Sequence, residues 1–264
     1  MAKESIIVRD FELVYEIVKS LSRMADGVKF AFDADGLVVN AKNAYSKCNL
    51  TSNAARSERP VEFCIADLQT FLKVLTTVKD MYKGDYGQVG FFYDAPFFRV
   101  ESGKFKTKIA ACEEARVSKF VATKIKTELT PKLVFTTNSS MIKAINGHSF
   151  VFPNSDSARV YLTTEPDMQN NTIFATIGDE SNDLANSVTL ELGLVNSGSL
   201  SNPDGTQMKI ILDFNRLNIF NMVPSDEIKV MVANERPVLV STTTKDGKDG
   251  AFFKVEVCSF MLVR

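Results

Sequence analysis

Apolar and polar positions along this chain change rhythm in a regular way. From Asp10 to Met24 the apolar residues Phe11, Val14, Ile17 or Val18, and Leu21 recur at helical spacing. Glu12, Glu16, Lys19 and Arg23 share the opposite face, and Gly27 ends the segment. Ser5 to Val8 is a short strand candidate. Val28 to Phe32 and Leu37 to Ala41 flank Asp35-Gly36, which predicts a hairpin. Tyr45 to Leu50 alternates weakly, as a third strand. Val61 to Ile65 is a further strand, after which Asp67 caps a predicted helix running to about Val78. Leu68, Phe71, Leu72, Leu75 and Val78 form its apolar side, while Gln69, Lys73, Thr76 and Asp80 face away. Gln88 to Tyr93, Phe97 to Glu101 and Phe105 to Cys112 then form a meander, with turns at Ala95-Pro96 and Ser102-Gly103. Glu113 to Thr130 carries mixed charge and no glycine, and is expected to be a partly extended linker.

The second half repeats this order. Leu133 to Thr136 is a strand and Ser139 to about Gly147 a helix, with Met141, Ile142 and Ile145 on one side and Lys143 and Asn146 outward. Val160 to Thr164, Ile173 to Ile177 and Val188 to Val195 are strands, and Asn196 to Gln207 is a loop insertion. Lys209 to Leu212 is a strand, and Asp213 caps a short helix to about Met222. Ile228 to Val232, Val238 to Thr243 and Ala251 to Leu262 close the half as a meander, with Lys245-Asp246-Gly247 at its last turn. At residue level the repeat is clearest between Ile65-Ala66-Asp67-Leu68-Gln69-Thr70-Phe71-Leu72 and Ile211-Leu212-Asp213-Phe214-Asn215-Arg216-Leu217-Asn218. Doubled units of this kind build surfaces or rings more often than a single catalytic cleft. The expected class is α+β: a first domain over residues 1–112, a connector over 113–130, and a second domain over 131–264. Each domain has an antiparallel sheet with two helices on its inner face.

Composition narrows the function by exclusion. At 264 residues, with 45% hydrophobic and 24% charged, the chain is long enough for two packed domains. The net charge of -1 gives no sign of nucleic-acid binding, though a local basic face can sit on a neutral chain. No apolar signal core follows Met1-Ala2-Lys3-Glu4, and no apolar run approaches the roughly 20 residues that span a bilayer. Cys48, Cys64, Cys112 and Cys258 lie far apart in sequence and form no Cys-x-x-Cys pair, so neither zinc nor a redox motif is suggested. No membrane partner, metal or cofactor is expected, and a reducing compartment fits best. The single histidine, His148, reads as a helix-end or loop residue. Asp33 and Asp35 flank a turn and are read as turn residues rather than an acid–base pair. Gly84-Asp85-Tyr86-Gly87 lacks the Lys-Ser/Thr and helix of a phosphate loop. Catalysis has no candidate residues.

The order of elements, the linker near residue 120 and the Asp-capped helices together resemble DNA sliding clamps. The similarity is to the two-domain subunits of proliferating cell nuclear antigen and of T-even-phage-type clamps. Ile65 to Leu72 looks like the first-domain segment of the phage type. Met222-Val223-Pro224, followed by Ala233 to Val240, looks like the end of the nuclear antigen. The resemblance implies a homotrimeric ring, assembled head to tail, that encircles duplex DNA. It would tether a DNA polymerase, be opened by a clamp loader, and do no chemistry of its own. The location would be a host cytoplasm if the chain is phage-encoded, or a nucleus if eukaryotic.

The resemblance also sharpens three sets of residues. Lys19, Arg23, Lys73, Lys143 and Arg216 would face phosphates; without it they read as solvated helix faces. Asn215, Asn218 and Asn221 would add an uncharged contact surface. Lys104, Lys106 and Lys108 alternate on one strand, which reads either as edge protection or as a subunit joint. The joint would run from Lys104 to Cys112, with Ile109, against Ser187 to Val195, with Val188 and Leu190. Phe120 and Val121 in the polar linker either pin it to the sheet or, with Pro237, Phe260, Met261 and Leu262, line a pocket for a partner's short apolar peptide. Lys42 stands near where the nuclear antigen places an apolar pocket residue, which implies a different peptide specificity. A monomeric processivity factor of the same fold, and a β-rich viral or scaffold protein without a DNA role, are the alternative readings.

Overall fold

The computed structural model describes residues 4–87, 89–103, 105–122, 130–148, 159–164, 172–178, 187–200, 210–213, 217, 219–233, 238–260 and 262–263. The chain divides into two compact units. Unit 1 is Met1–Ile125 with Thr244–Val255, and unit 2 is Lys126–Thr243 with Glu256–Arg264.

In unit 1 the chain runs β1 (Glu4–Val8), α1 (Phe11–Ser22), β2 (Val28–Phe32), β3 (Leu37–Lys42), β4 (Ser46–Ser52), β5 (Ala55–Ser57), β6 (Val61–Ile65), α2 (Leu68–Tyr82), β7 (Val89–Asp94), β8 (Phe97–Ser102), β9 (Phe105–Ala110) and α3 (Glu114–Val117). One antiparallel sheet has the order β5-β1-β7-β8-β9. In the other, β6, β2, β3 and β4 lie side by side. Rings from both sheets and from α2 meet between them. Phe63 lies 5.6 Å from Phe30, 5.1 Å from Tyr93 and 4.9 Å from Phe98, centroid to centroid. Phe71 meets Phe30 and Phe98 edge-on.

Side chains at the helix ends account for where the helices start and stop. The Asp10 backbone is extended, and its carboxylate accepts the Leu13 N–H at 3.0 Å, which satisfies a donor that the first turn of α1 leaves free. Asp67 does the same for Thr70 N–H at 2.9 Å at the start of α2. That helix runs to Tyr82, a turn past the expected Val78, because the Tyr82 hydroxyl donates to the Ser102 carbonyl at 2.6 Å and anchors the extra turn. Lys83 then closes it in a left-handed conformation, φ 44.

The carboxylate of Asp10 has a second task. It accepts the Lys248 N–H at 2.8 Å, 238 positions along the chain. A Cβ on Gly247 would lie 2.4 Å from that carboxylate, so this close approach needs glycine. Ser52 donates its hydroxyl to the Phe252 carbonyl, and Asn53 bonds both Phe252 N–H and the Gly250 carbonyl. Residues 244–255 therefore belong with unit 1, where the sequence pattern placed them in the second domain.

Unit 2 comprises β10 (Pro131–Thr137), α4 (Ser139–Gly147), β11 (Arg159–Thr164), β12 (Thr172–Gly178), β13 (Ser187–Gly198), β14 (Ile210–Asp213) and β15 (Ile228–Ala233). It ends with most of β16 (Val238–Asp246), the end of β17 (Phe252–Phe260), and β18 (Leu262–Val263). Its sheet has the order β18-β14-β11-β12-β13-β10-β15-β16, antiparallel throughout. Asn138 caps α4 by accepting Met141 N–H at 2.9 Å, and Ile142 and Ile145 face the core. His148 is the C-cap residue of α4, as its sequence context suggested. The helix expected after Asp213 falls largely outside the described residues, and Ile219–Asn221 forms a 3₁₀ turn. Asn221 is buried in that turn beside Phe220, so it cannot serve as a contact surface, which corrects its expected role. Asn215 and Asn218 are outside the described residues. Among the described residues no helix is long and apolar enough to cross a membrane.

Candidate nucleic-acid interface

In unit 1, α1 and α2 pack side by side, joined by Gln69 donating to the Ser22 carbonyl at 3.2 Å. Their polar flanks and caps carry the residues expected to face phosphates. Arg23 and Lys73 are exposed, and Lys19 is partly so. Lys19 pairs with Glu16 at 3.5 Å and lies 5.7 Å from the Tyr15 ring, on which Lys79 also sits at 4.5 Å. Lys79 and Lys83 belong to this surface too. Ending α2 at Val78 concealed them, although Lys79 continues its helical spacing. Counting exposed and half-exposed charges, Lys19, Arg23, Lys73, Lys79 and Lys83 oppose Glu12, Glu16, Asp67 and Asp80. Five bases against four acids leave +1, a surface with only weak attraction for a polyanion. In unit 2, Lys143 is exposed on α4 and is the only charged residue of that helix. Arg216 lies outside the described residues.

Among the described residues, β9 and the first half of β13 each leave one edge without a strand partner. β9 ends its sheet, pairing only with β8 among the described strands. On β13, Ser187 to Glu191 pair with β12 on one side, whereas β10 pairs only with Leu194 to Gly198. Lys106 and Lys108 point outward from β9, with Lys108 Nζ 5.5 Å from the Phe97 ring. Lys104 is outside the described residues. Ile109 lies on the opposite face and is buried in unit 1, so its side chain is not available to a joint. That placement corrects the expectation for this residue, and alternation with the lysines explains it. Val188 and Leu190 are half-buried, on the same face as the buried Leu192.

The connector begins as structure rather than as extended chain. α3 is followed by a 3₁₀ turn over Ser118–Phe120. Val117 is fully buried, and its Cγ1 would sit 2.9 Å from a Cβ on Gly27, so α3 docks closely because position 27 has no side chain. Lys29 Nζ holds Glu62 at 2.8 Å and the α3 residue Glu114 at 3.0 Å. Those two hydrogen-bonded carboxylates push the lysine's pKa above its usual range. Val121 forms a bridge with Ala41, Ala122 N–H donates to Asn40, and Phe120 is half-buried under Lys119. The Val121 bridge and the Ala122 hydrogen bond pin this segment to β3. Of the remaining pocket residues, Pro237 and Met261 lie outside the described residues. Phe260 and Leu262 are described in backbone only, Leu262 pairing with Ile211.

A polar cleft of about 400 Å³ lies between the start of α1 and the hairpin tip at Gly247. Its walls carry both signs of charge, and the Asp10 carboxylate there is already satisfied twice. Among the described residues no group of His, Cys, Asp or Glu is disposed to hold a metal ion. Asp33 accepts the N–H groups of Asp35 and Gly36 at 2.9 and 3.0 Å, a turn role.

With this geometry, the chain matches proliferating cellular nuclear antigen from Entamoeba histolytica at a TM-score of 0.68, over 98% of each chain and at 14% identity. The fold is that of a sliding clamp. PCNA of A. fulgidus, solved with the C-terminal region of FEN-1 bound, matches at a TM-score of 0.68 over 98% of this chain and 99% of that one, at 12% identity. A PCNA2–PCNA3 complex from Sulfolobus tokodaii gives a TM-score of 0.62, over 98% of this chain and 99% of that chain, at 13% identity. At these identities the likeness is one of fold. No protein-family model and no curated protein matches the sequence.

Proposed function

We propose that this chain is a ring-forming sliding clamp that encircles duplex DNA and tethers a polymerase and other DNA-acting partners. The observation that carries the reading is the doubled unit, whose fold matches clamp subunits along 98% of the chain. The open edges of β9 and of the first half of β13 suit a head-to-tail joint between copies, a heterologous contact that closes after a fixed number of subunits. The homotrimer is the proposed number. Lys19, Arg23, Lys73, Lys143 and Arg216 would meet phosphates. The near balance of charge on α1 and α2 favours sliding over tight binding, since each strong phosphate contact adds to affinity and salt dependence. By the likeness to clamps, partners would engage Phe120 and Val121 together with Pro237 and Phe260 to Leu262, and a clamp loader would open the ring. The role requires no chemistry of the chain itself.

Light scattering tests the ring. The expected mass is three times the 29.3 kDa of one chain. Because Ile109→Asp would place a carboxylate in the core of unit 1, the joint is better probed with Lys106→Glu and Lys108→Glu together. Both residues are exposed, so the fold should persist while the trimer weakens. A concentration-independent monomer in the wild-type protein overturns the ring and leaves a monomeric processivity factor.

A further inference from the structure

Two cysteines that are 48 positions apart in sequence meet in unit 1. Cys64 on β6 and Cys112, two residues before α3, form an antiparallel bridge in which Cys112 donates its N–H to the Cys64 carbonyl at 2.9 Å. Opposed residues of an antiparallel pair project from the same face, so the two thiols are neighbours. Cα atoms in a hydrogen-bonded pair lie about 5.5 Å apart, inside the roughly 4.4–6.8 Å that a disulfide spans. Both are free thiols. Cys64 is buried and Cys112 is partly exposed. Lys29, the cross-strand neighbour of Cys64, holds Glu62 and Glu114 beside them.

From this juxtaposition we propose that Cys64 and Cys112 are a reversible redox site, oxidised by a hydroperoxide to a disulfide that fixes the start of the connector to β6. The partly exposed Cys112 sulfur attacks an oxygen of hydrogen peroxide, the O–O bond breaks, and Cys112 becomes a sulfenic acid as one water leaves. The Cys64 sulfur then attacks the Cys112 sulfur. The S–O bond breaks, the S–S bond forms, and the departing hydroxyl takes the Cys64 proton as a second water. The two thiols supply the two electrons that reduce the peroxide. Burial first, then Cys112 and Glu114, push the Cys64 thiol up, which suits it to act second. In a hydrogen-bonded pair the Cβ atoms lie about 5–5.5 Å apart, beyond the roughly 3.5–4.5 Å of a relaxed disulfide, so the two backbones must draw together for the bond to close. A bond formed there is strained and readily reduced, as a switch requires and a permanent cross-link does not.

The inference stands on the geometry of unit 1 and does not depend on the clamp reading. Its test uses the full chain, treated with hydrogen peroxide, denatured, blocked with N-ethylmaleimide and mapped by mass spectrometry. The expected result is one intramolecular disulfide joining Cys64 to Cys112, reversed by dithiothreitol, with Cys48 and Cys258 alkylated. In Cys64→Ala the disulfide is lost and Cys112 proceeds to the sulfinic acid. Trypsin cleavage after Arg116 and Lys119 in the native protein should slow several-fold on oxidation. A wild-type chain whose Cys112 oxidises while Cys64 remains alkylatable overturns the proposal, as does a disulfide formed only between chains. An unchanged trypsin rate on the disulfide form overturns the connector-fixing role.

Discussion

Unit 1 fills the space between its sheets with rings, whereas the core of unit 2 is mostly aliphatic among the described residues. Phe30, Phe32, Phe63, Phe71, Phe91 and Phe98 interlock in the first. Leu133, Ile142, Ile145, Leu162, Ile173, Ile177 and Leu192 belong to the second, with Phe135, Tyr161 and Phe220 as its buried rings among the described residues. A strand, a helix and a run of antiparallel strands nevertheless open both units, at β1–α1 and at β10–α4. A fold of this kind is specified by the period of its apolar positions, and the identity of the core residues can drift while total volume and pattern are kept. Drift also explains why the internal repeat is visible at residue level only around Asp67 and Asp213.

The largest effects should come from the cores. Phe63→Ala is expected to cost unit 1 about 3–5 kcal/mol, because its ring neighbours are held in register by one another and close a cavity poorly. Leu162→Ala should cost unit 2 about 2–5 kcal/mol, toward the lower end if aliphatic neighbours relax into the space. Amide hydrogen exchange separates the two units, and a smaller loss at Phe63 than at Leu162 would break the contrast drawn between rings and aliphatics.

The helix caps come next. Asp67→Ala and Asn138→Ala should each cost about 1 kcal/mol. Their pH dependence should differ. The Thr70 hydroxyl, then the Thr70 amide, hold the Asp67 carboxyl below its usual range. Its folded pKa is thus depressed, so its contribution is present above the unfolded value of about 3.9 and disappears as pH falls through the folded value. Urea titrations from neutral pH down to about pH 2 should show the Asp67→Ala deficit closing and the Asn138→Ala deficit unchanged. A flat Asp67 deficit would mean that the carboxylate's charge contributes nothing beyond its shape.

The smallest effect is expected at the surface ion cluster. Lys29→Met should cost within about 1 kcal/mol and less at high salt, since Glu62 and Glu114 are both well exposed. Lys143→Met on α4 should be neutral in the same melts. A loss of several kcal/mol at Lys29 would show that α3 is held by charge rather than by the buried Val117.

Local rhythm made much of this legible. Helical spacing at Phe11, Val14 and Leu21 placed α1, and alternation with Asp35-Gly36 placed the β2–β3 hairpin. The inward direction of Ile109 was equally available, since alternating Lys104, Lys106 and Lys108 put it on the other face. What the sequence concealed is non-local. Nothing near Asp10 announces a bond to Lys248, nothing near Cys64 announces Cys112, and nothing in Glu113 to Thr130 announces that Gly27 leaves room for Val117. Such contacts follow from tertiary closure, to which a pattern of neighbours is blind. β5, three residues long, is too short to display a period at all.

The hairpin tip that Asp10 receives has a consequence in time. During synthesis the chain reaches Ile125 with most of unit 1 made, but the segment that bonds Asp10, Ser52 and Asn53 begins 118 residues later, after Lys126 to Thr243. At about 5–20 residues per second the ribosome needs roughly 6–24 s to cover that distance. Throughout this interval nascent unit 1 has an uncovered β4 edge and a carboxylate lacking one partner. That is the period in which a strand from another nascent chain, or a chaperone, can occupy the place that residues 244–255 later take.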